Sequence, residues 1–211
     1  PLEHSFAPAT SRIVDSLLIR RFDKLGFAVP QNNWNNKAKK IKGATVFEVF
    51  EPGIYENVGI FDFKSMYPSV MIIDKESIVP KILKDLWSWR DETKLKVEKN
   101  GDYFDRLQYS IKVLMNSFYG VMASDFYRFT NPSIGGSITA FARLGIQNVY
   151  EELGARKYTV IYGDTDSVFV QLKDDRDPHK LAEELSARGL EMELEKILET
   201  FFTHGAKKRY A

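Results

Sequence analysis

Three aspartates give the first chemical signal. Asp62 closes an otherwise apolar run, Ile60-Phe61-Asp62-Phe63, and Asp164 and Asp166 follow about 100 residues later in Gly163-Asp164-Thr165-Asp166. A carboxylate in such a run either caps the strand end or is held there for a charge partner, and an Asp-rich turn alone is commonplace. Alternate residues of an extended segment point the same way, so Asp164 and Asp166 can converge, although a tight turn can spoil that. Three carboxylates brought within a few ångströms repel one another, and a divalent cation is the usual remedy. Mg²⁺ takes one or two carboxylates, keeps waters and fills its other positions with substrate phosphates. Two ions roughly 3.5–4 Å apart stabilise both the attacking and the leaving oxygens of an in-line displacement.

The complementary sign lies between these carboxylates in the chain. Arg90 and Lys94 are i and i+4, and Lys112, Asn116 and Tyr119 are i, i+4 and i+7, so each set shares one helix face. If the two faces meet, three cations and an amide point toward one spot. That suits a triphosphate, with Arg binding bidentately and Lys acting as a point charge. Taken one pair at a time, an ordinary solvated face explains them. The run Lys37, Lys39, Lys40, Lys42 reads as a solvated loop, with a phosphate-facing edge as the alternative.

The elements that must position these groups follow from periodicity. Ile13, Leu17, Leu18 and Phe22 mark an N-terminal helix, ahead of a polar loop at 31–36. Residues 44–50 and 58–63 read as strands, with Pro52-Gly53 as the turn between them. Residues 80–120 form an αα-hairpin broken at Asn100-Gly101, and 136–153 another helix closed by Gly154. Strands at 158–162 and 167–172 flank the Gly-Asp-Thr-Asp turn, where Gly-Asp signals a II′ hairpin. Residues 178–203 read as helical, with Gly189 a weak point. Strands and helices mix without strict βαβ alternation, so the expected class is α+β: an antiparallel sheet packed with helices, plus a projecting two-helix lobe.

Composition narrows the function classes. The 211 residues carry 30 Lys+Arg against 29 Asp+Glu, a net charge of +1, 44% hydrophobic residues and no cysteine. A chain of this size buries roughly 70–75% of its unfolded surface, so a real core is expected. Without cysteine there is no disulfide, thiolate-bound zinc or thiol chemistry. No stretch approaches the roughly 18 apolar residues of a membrane span, so a soluble intracellular protein without membrane partners is expected, cytoplasmic and nucleoid-associated if prokaryotic. The near-neutral balance means that any nucleic acid must be held by a localised patch.

Three segments carry a family resemblance. Asp62-Phe-Lys-Ser-Met-Tyr-Pro-Ser-Val-Met71, Lys112-Val-Leu-Met-Asn-Ser-Phe-Tyr-Gly120 and Tyr162-Gly-Asp-Thr-Asp-Ser167 resemble, in order, the three polymerase motifs of family B DNA polymerases. The likeness runs from about Ser11 to Ala211. It implies a palm from 1–74 and 121–211 with fingers at 75–120. It implies Asp62 and Asp166 as the main ligands of two Mg²⁺ ions, which Mn²⁺ can replace, with Asp164 beside them. Tyr67 matches the steric gate that excludes a 2′-hydroxyl. Arg90, Lys94, Lys112 and Asn116 would hold the dNTP triphosphate, and Tyr119 and Gly120 would back the nascent base pair. Lys208 and Tyr210 match a Lys-x-Tyr element that contacts the primer end. The implied partners are primer-template DNA and dNTPs.

The chain departs from the family at several points. Only 61 residues precede Asp62, too few for the usual 3′–5′ exonuclease domain, and the sequence stops one residue after Tyr210, where a thumb should begin. The expectation is therefore a truncated, split or engineered core with weak, distributive synthesis. It could be completed by a separate thumb- or exonuclease-bearing chain, and could self-associate through apolar surface such as Trp87, Trp89, Phe201 and Phe202. The alternative is a folded but inactive fragment or subunit that binds DNA and metal. An untemplated palm enzyme such as a cyclase needs neither Tyr67 nor Lys208.

Overall fold

The computed structural model describes residues 9–31, 41–43, 47, 51–73, 77–124, 127–173, 176–187, 189–205 and 211. Their elements are α1 (Thr10–Lys24), β1 (Gly53–Phe63), α2 (Met66–Ile72), α3 (Ile78–Asn100), α4 (Asp102–Ala123), α5 (Pro132–Ala155), β2 (Val160–Asp164), β3 (Ser167–Gln171), α6 (Pro178–Leu185) and β4 (Met192–Thr203). The class is α+β. The chain divides into two compact units, Pro1–Ile41 with Met71–Ser137, and Lys42–Val70 with Ile138–Ala211.

The first unit is helical. α4 buries Ile111, Met115, Phe118, Val121 and Met122, a stripe at helical spacing. α1 brings Val14 and Leu18, four residues apart, and packs on α4; α3 packs on α4 from its own side. Gly101 ends α3 at φ +62, a conformation that favours glycine, and its N–H donates to the Val97 carbonyl at 3.1 Å. Asp102 and Asp105 in the first turn of α4 complement the positive end of the helix dipole. The expected αα-hairpin is thus present as α3 and α4.

The second unit is built on an antiparallel sheet of order β2-β3-β1-β4. Val58, Ile60, Ile161, Tyr162, Phe169 and Phe201 form its aromatic-rich core cluster. α5 buries Ile138, Ala142, Ile146, Val149 and Leu153 along one face. α6 starts with Pro178 after Asp177, whose side chain accepts from the His179 N–H at 2.9 Å and caps the helix.

The expected helix over 178–203 is corrected by this sheet. Only α6 is helical. Gly189 turns the chain at φ +80, beside an Ala187–Leu190 bridge, and the remainder is β4, an edge partner of β1. Met-Glu-Leu-Glu-Lys favours helix locally, but four apolar cross-strand pairs override that preference: Tyr55 with Phe201, Val58 with Leu198, Phe61 with Leu194 and Phe63 with Met192. The same pairing buries Phe201 completely, against the expectation that it would be uncovered, while Trp89 and Phe202 are exposed and Trp87 half-buried. The expected strand at 44–50, Phe47 apart, and the lysines at 37, 39 and 40 lie outside the described residues. Among the described residues no helix is long and apolar enough to cross a membrane.

Candidate active site

β1 delivers Asp62 to one end of the sheet. Its neighbours Phe61 and Phe63 are buried, so the strand is anchored on both sides of a half-buried carboxylate. Across β1, Asp62 stands opposite Ser167 of β3 and opposite Glu193 of β4, and Ser167 stands opposite Asp164 of β2. Directly paired residues in antiparallel strands share a face. Asp164, Ser167, Asp62 and Glu193 therefore form one transverse row across all four strands. The same face carries Ile60 and Phe169, paired two residues back, so it grades from apolar to acidic toward this end.

The turn after β2 is tight. The Asp166 N–H donates to the Asp164 carbonyl at 2.6 Å, an i to i+2 closure around Thr165 at φ +56. Such a γ-like closure with positive φ is rare and strained, and for a β-branched residue the strain is of order 1–3 kcal/mol. Thr165 Oγ1 donates to Asp164 Oδ1 at 3.0 Å, and Ser167 Oγ to the Asp164 carbonyl at 3.2 Å. The positive φ falls on Thr165, as at the first central position of a II′ turn; Gly163 is not the turn glycine. A Cβ at Gly163 would come within 2.6 Å of the Phe47 ring, and the Phe47 N–H donates to the Gly163 carbonyl at 2.9 Å. Phe47 is held in turn by stacking on Tyr150, with ring centroids 4.8 Å apart. Gly163 is needed for this close approach.

A bond between the two motifs fixes their relative position: the Phe63 N–H donates to the Asp166 carbonyl at 2.9 Å. Beyond it the Lys64 N–H donates to the Glu191 carbonyl at 2.8 Å, and Ser65, at φ +47, turns the chain into α2. Ser69 Oγ donates to the Lys64 carbonyl at 2.9 Å and closes that corner. Tyr67, half-buried, therefore sits in the first turn of α2, five residues after Asp62.

In the helical unit the candidates differ among themselves. Arg90 is buried, with its Nε 3.4 Å from Gln108 Oε1 of α4, whereas Lys94 one turn later is exposed. Lys112 and Asn116 are exposed on α4 and Tyr119 is half-buried beside them, so 112, 116 and 119 do line one outer stripe. Gly120 is exposed, and a Cβ there would meet nothing within 4 Å. Nothing in the fold demands a glycine in that helix, where it costs about 1 kcal/mol relative to Ala. Lys208 and Tyr210 lie outside the described residues.

Glu193 was missed by sequence reasoning, because a strand read as a helix cannot be placed opposite Asp62. Ser167 lies within a motif whose letters alone give it no role; only the register sets it between two carboxylates. Among the described residues no three carboxylate or histidine side chains are gathered closely enough to form a ready-made metal cage. The donor chemistry nevertheless fits a hard cation. Carboxylates and a hydroxyl, half-buried or exposed, suit Mg²⁺, which needs one or two protein carboxylates and completes its octahedron from water and phosphate.

Comparison with known proteins bears on the family and the fold. The model described as DNA polymerase family B matches residues 1–75 and 73–211. DNA polymerase II of Escherichia coli is 30% identical over 76% of this chain and 27% of its own length. DNA polymerase 2 of Aeropyrum pernix is 29% identical over 100% of this chain and 31% of its own. The solved structure of the family B DNA polymerase from Pyrobaculum calidifontis superposes with a TM-score of 0.73 at 28% identity, covering 97% of this chain and 32% of that one. The chain thus spans under a third of the length of each of these relatives.

Proposed function

The chain belongs to DNA polymerase family B, and from that premise we propose that it is the catalytic core of a DNA-directed DNA polymerase, adding dNTPs to a primer 3′-hydroxyl opposite a template. The observation that carries the reading is the transverse row Asp164, Ser167, Asp62 and Glu193, tied by the bond from Phe63 to Asp166. Two motifs about 100 residues apart supply one acidic end of one sheet.

In this reading Asp62 and Asp166 would hold two Mg²⁺ ions, with Asp164 beside them, and the chemistry so supplied would be activation of the primer hydroxyl and neutralisation of charge on the leaving pyrophosphate. A bond forms between the primer O3′ and the α-phosphorus, and the bond from that phosphorus to the bridging oxygen of the β-phosphate breaks. Lys94, Lys112 and Asn116 are accessible on their helices and bind the triphosphate. Arg90 serves the same end while also packing α3 on α4, so its removal disturbs both. Tyr67 lies against the incoming sugar and leaves no room for a 2′-hydroxyl. Tyr119 and Gly120 back the new base pair, and Lys208 and Tyr210 hold the primer end. By this assignment 1–74 and 121–211 act as palm and 75–120 as fingers. The protein contributes positioning and charge, as is usual when the reacting group does most of its own bond chemistry.

Extension of a labelled primer-template by the purified chain with dNTPs and Mg²⁺ or Mn²⁺ tests the proposal. Product that disappears with Asp166→Ala supports it. Absence of product from the chain, while Mg²⁺, dNTP and DNA still bind, would favour the alternative of an inactive binding fragment.

A further inference from the structure

On the helical unit, α1 and α3 both pack on α4 without packing closely on one another, and a groove of about 350 Å³ opens between them. Each helix gives it one stripe. Leu17, Arg20, Arg21 and Lys24 are i, i+3, i+4 and i+7 on α1, and Ile82, Asp85, Leu86 and Trp89 repeat that spacing on α3. Leu17, Ile82 and Leu86 make an apolar floor, and three cations face a single carboxylate along the walls. Among the described residues none of the three cations makes an ion pair, and the Nε of Arg21 is buried without a hydrogen-bond partner. Trp89 is 48% exposed at the edge of the groove, so its ring face is open to a ligand.

We infer that this groove holds a single-stranded polynucleotide, with a base stacked on Trp89 and backbone phosphates along Arg20, Arg21 and Lys24. Aromatic platforms beside cations are the usual means of binding unpaired strands, because every base has a stacking face and every phosphate a charge. The charge excess selects an anionic occupant. The lone wide aromatic and the cations staggered along one helix face suit a strand better than an acidic peptide, which would need a longer apolar seat. The inference deepens the polymerase reading, since a templated enzyme must carry unpaired strand, but the binding itself requires no catalysis.

The test titrates a labelled oligothymidylate of about 12 nucleotides into the chain with EDTA present and dNTP absent, following anisotropy. Trp89→Ala should weaken binding by about 5- to 150-fold, the loss of one base stack, and Trp89→Phe should recover much of it. Arg20→Ala with Lys24→Ala, both exposed sites, should flatten the slope of log affinity against log salt by about 1.4. Wild-type affinity in Trp89→Ala, an unchanged salt slope in the double variant, or displacement of the oligonucleotide by an acidic peptide would each overturn the inference. A chain that extends no primer yet shows these losses keeps the groove and removes the catalytic reading. A chain that extends primers while all variants bind strand equally does the reverse.

Discussion

The Phe63 N–H donates to the carbonyl oxygen of Asp166 at 2.9 Å. This single bond joins the residue after one candidate metal ligand to the backbone of another, across about 100 residues of chain. It makes the relative position of the two aspartates a property of the backbone, set before any ion binds. Preorganised charge of this kind acts without reorganisation at the moment of reaction. Asp62→Asn keeps the size of the side chain and removes the charge. Primer extension should fall at least about 100-fold, with the melting temperature nearly unchanged. A variant with wild-type rate would detach Asp62 from the chemistry.

Gly120 offers a test that separates stability from function. Because a Cβ there meets open space, Gly120→Ala should stabilise α4 by about 0.5–1 kcal/mol. For a chain of this length that is roughly 2–4 °C per kcal/mol in melting temperature. The assignment against the nascent base pair requires nucleotide incorporation to drop in the same variant. A more stable and equally active protein would leave the glycine unexplained and the assignment unsupported.

Gly163 behaves in the opposite sense. Its Cβ would strike the Phe47 ring, which is pinned by Tyr150, so Gly163→Ala should cost about 1–3 kcal/mol. Adding Phe47→Ala should recover part of that loss in a double-mutant cycle, because the two changes share one contact. Simple additivity would show that the glycine is required for its backbone and not for the ring.

Tyr67→Ala should relax discrimination against ribonucleotides. Excluding one small group from a shaped pocket is worth roughly 1–3 kcal/mol, or about 10–200-fold in relative kcat/KM for dNTP over NTP. Competing incorporation assays measure the ratio directly, and an unaltered ratio moves the gate elsewhere.

Metal and nucleotide linkage supplies a readout free of turnover. A dNTP with Mg²⁺ at 100 times its dissociation constant should add about 2.7 kcal/mol of stability, reversed by EDTA. Asp62→Asn should abolish the Mg²⁺-dependent part. Equal shifts in the two proteins would place the bound nucleotide away from the acidic row.

Much of this was legible in the chain. The helices α1, α3, α4 and α5 are long and periodic, and Gly101 and the Asp177-Pro178 cap mark ends by local chemistry alone. Asp62 stands out because a carboxylate is out of place in an apolar strand, whereas Asp164 and Asp166, common in a turn, gain meaning only beside it. Local signals such as these are encoded within a few residues and survive in a one-dimensional reading.

Tertiary pairing decided the rest. β4 has helix-favouring residues and becomes a strand because β1 offers it a complementary apolar edge, and only then does Glu193 come opposite Asp62. The reason for Gly163 is a ring 116 positions earlier, at Phe47, and buried Arg90 donates to Gln108 on a neighbouring helix. Residue types and their periods name the candidates. Which of them meet depends on contacts whose free energy comes from partners distant in the chain, and that quantity no local window contains.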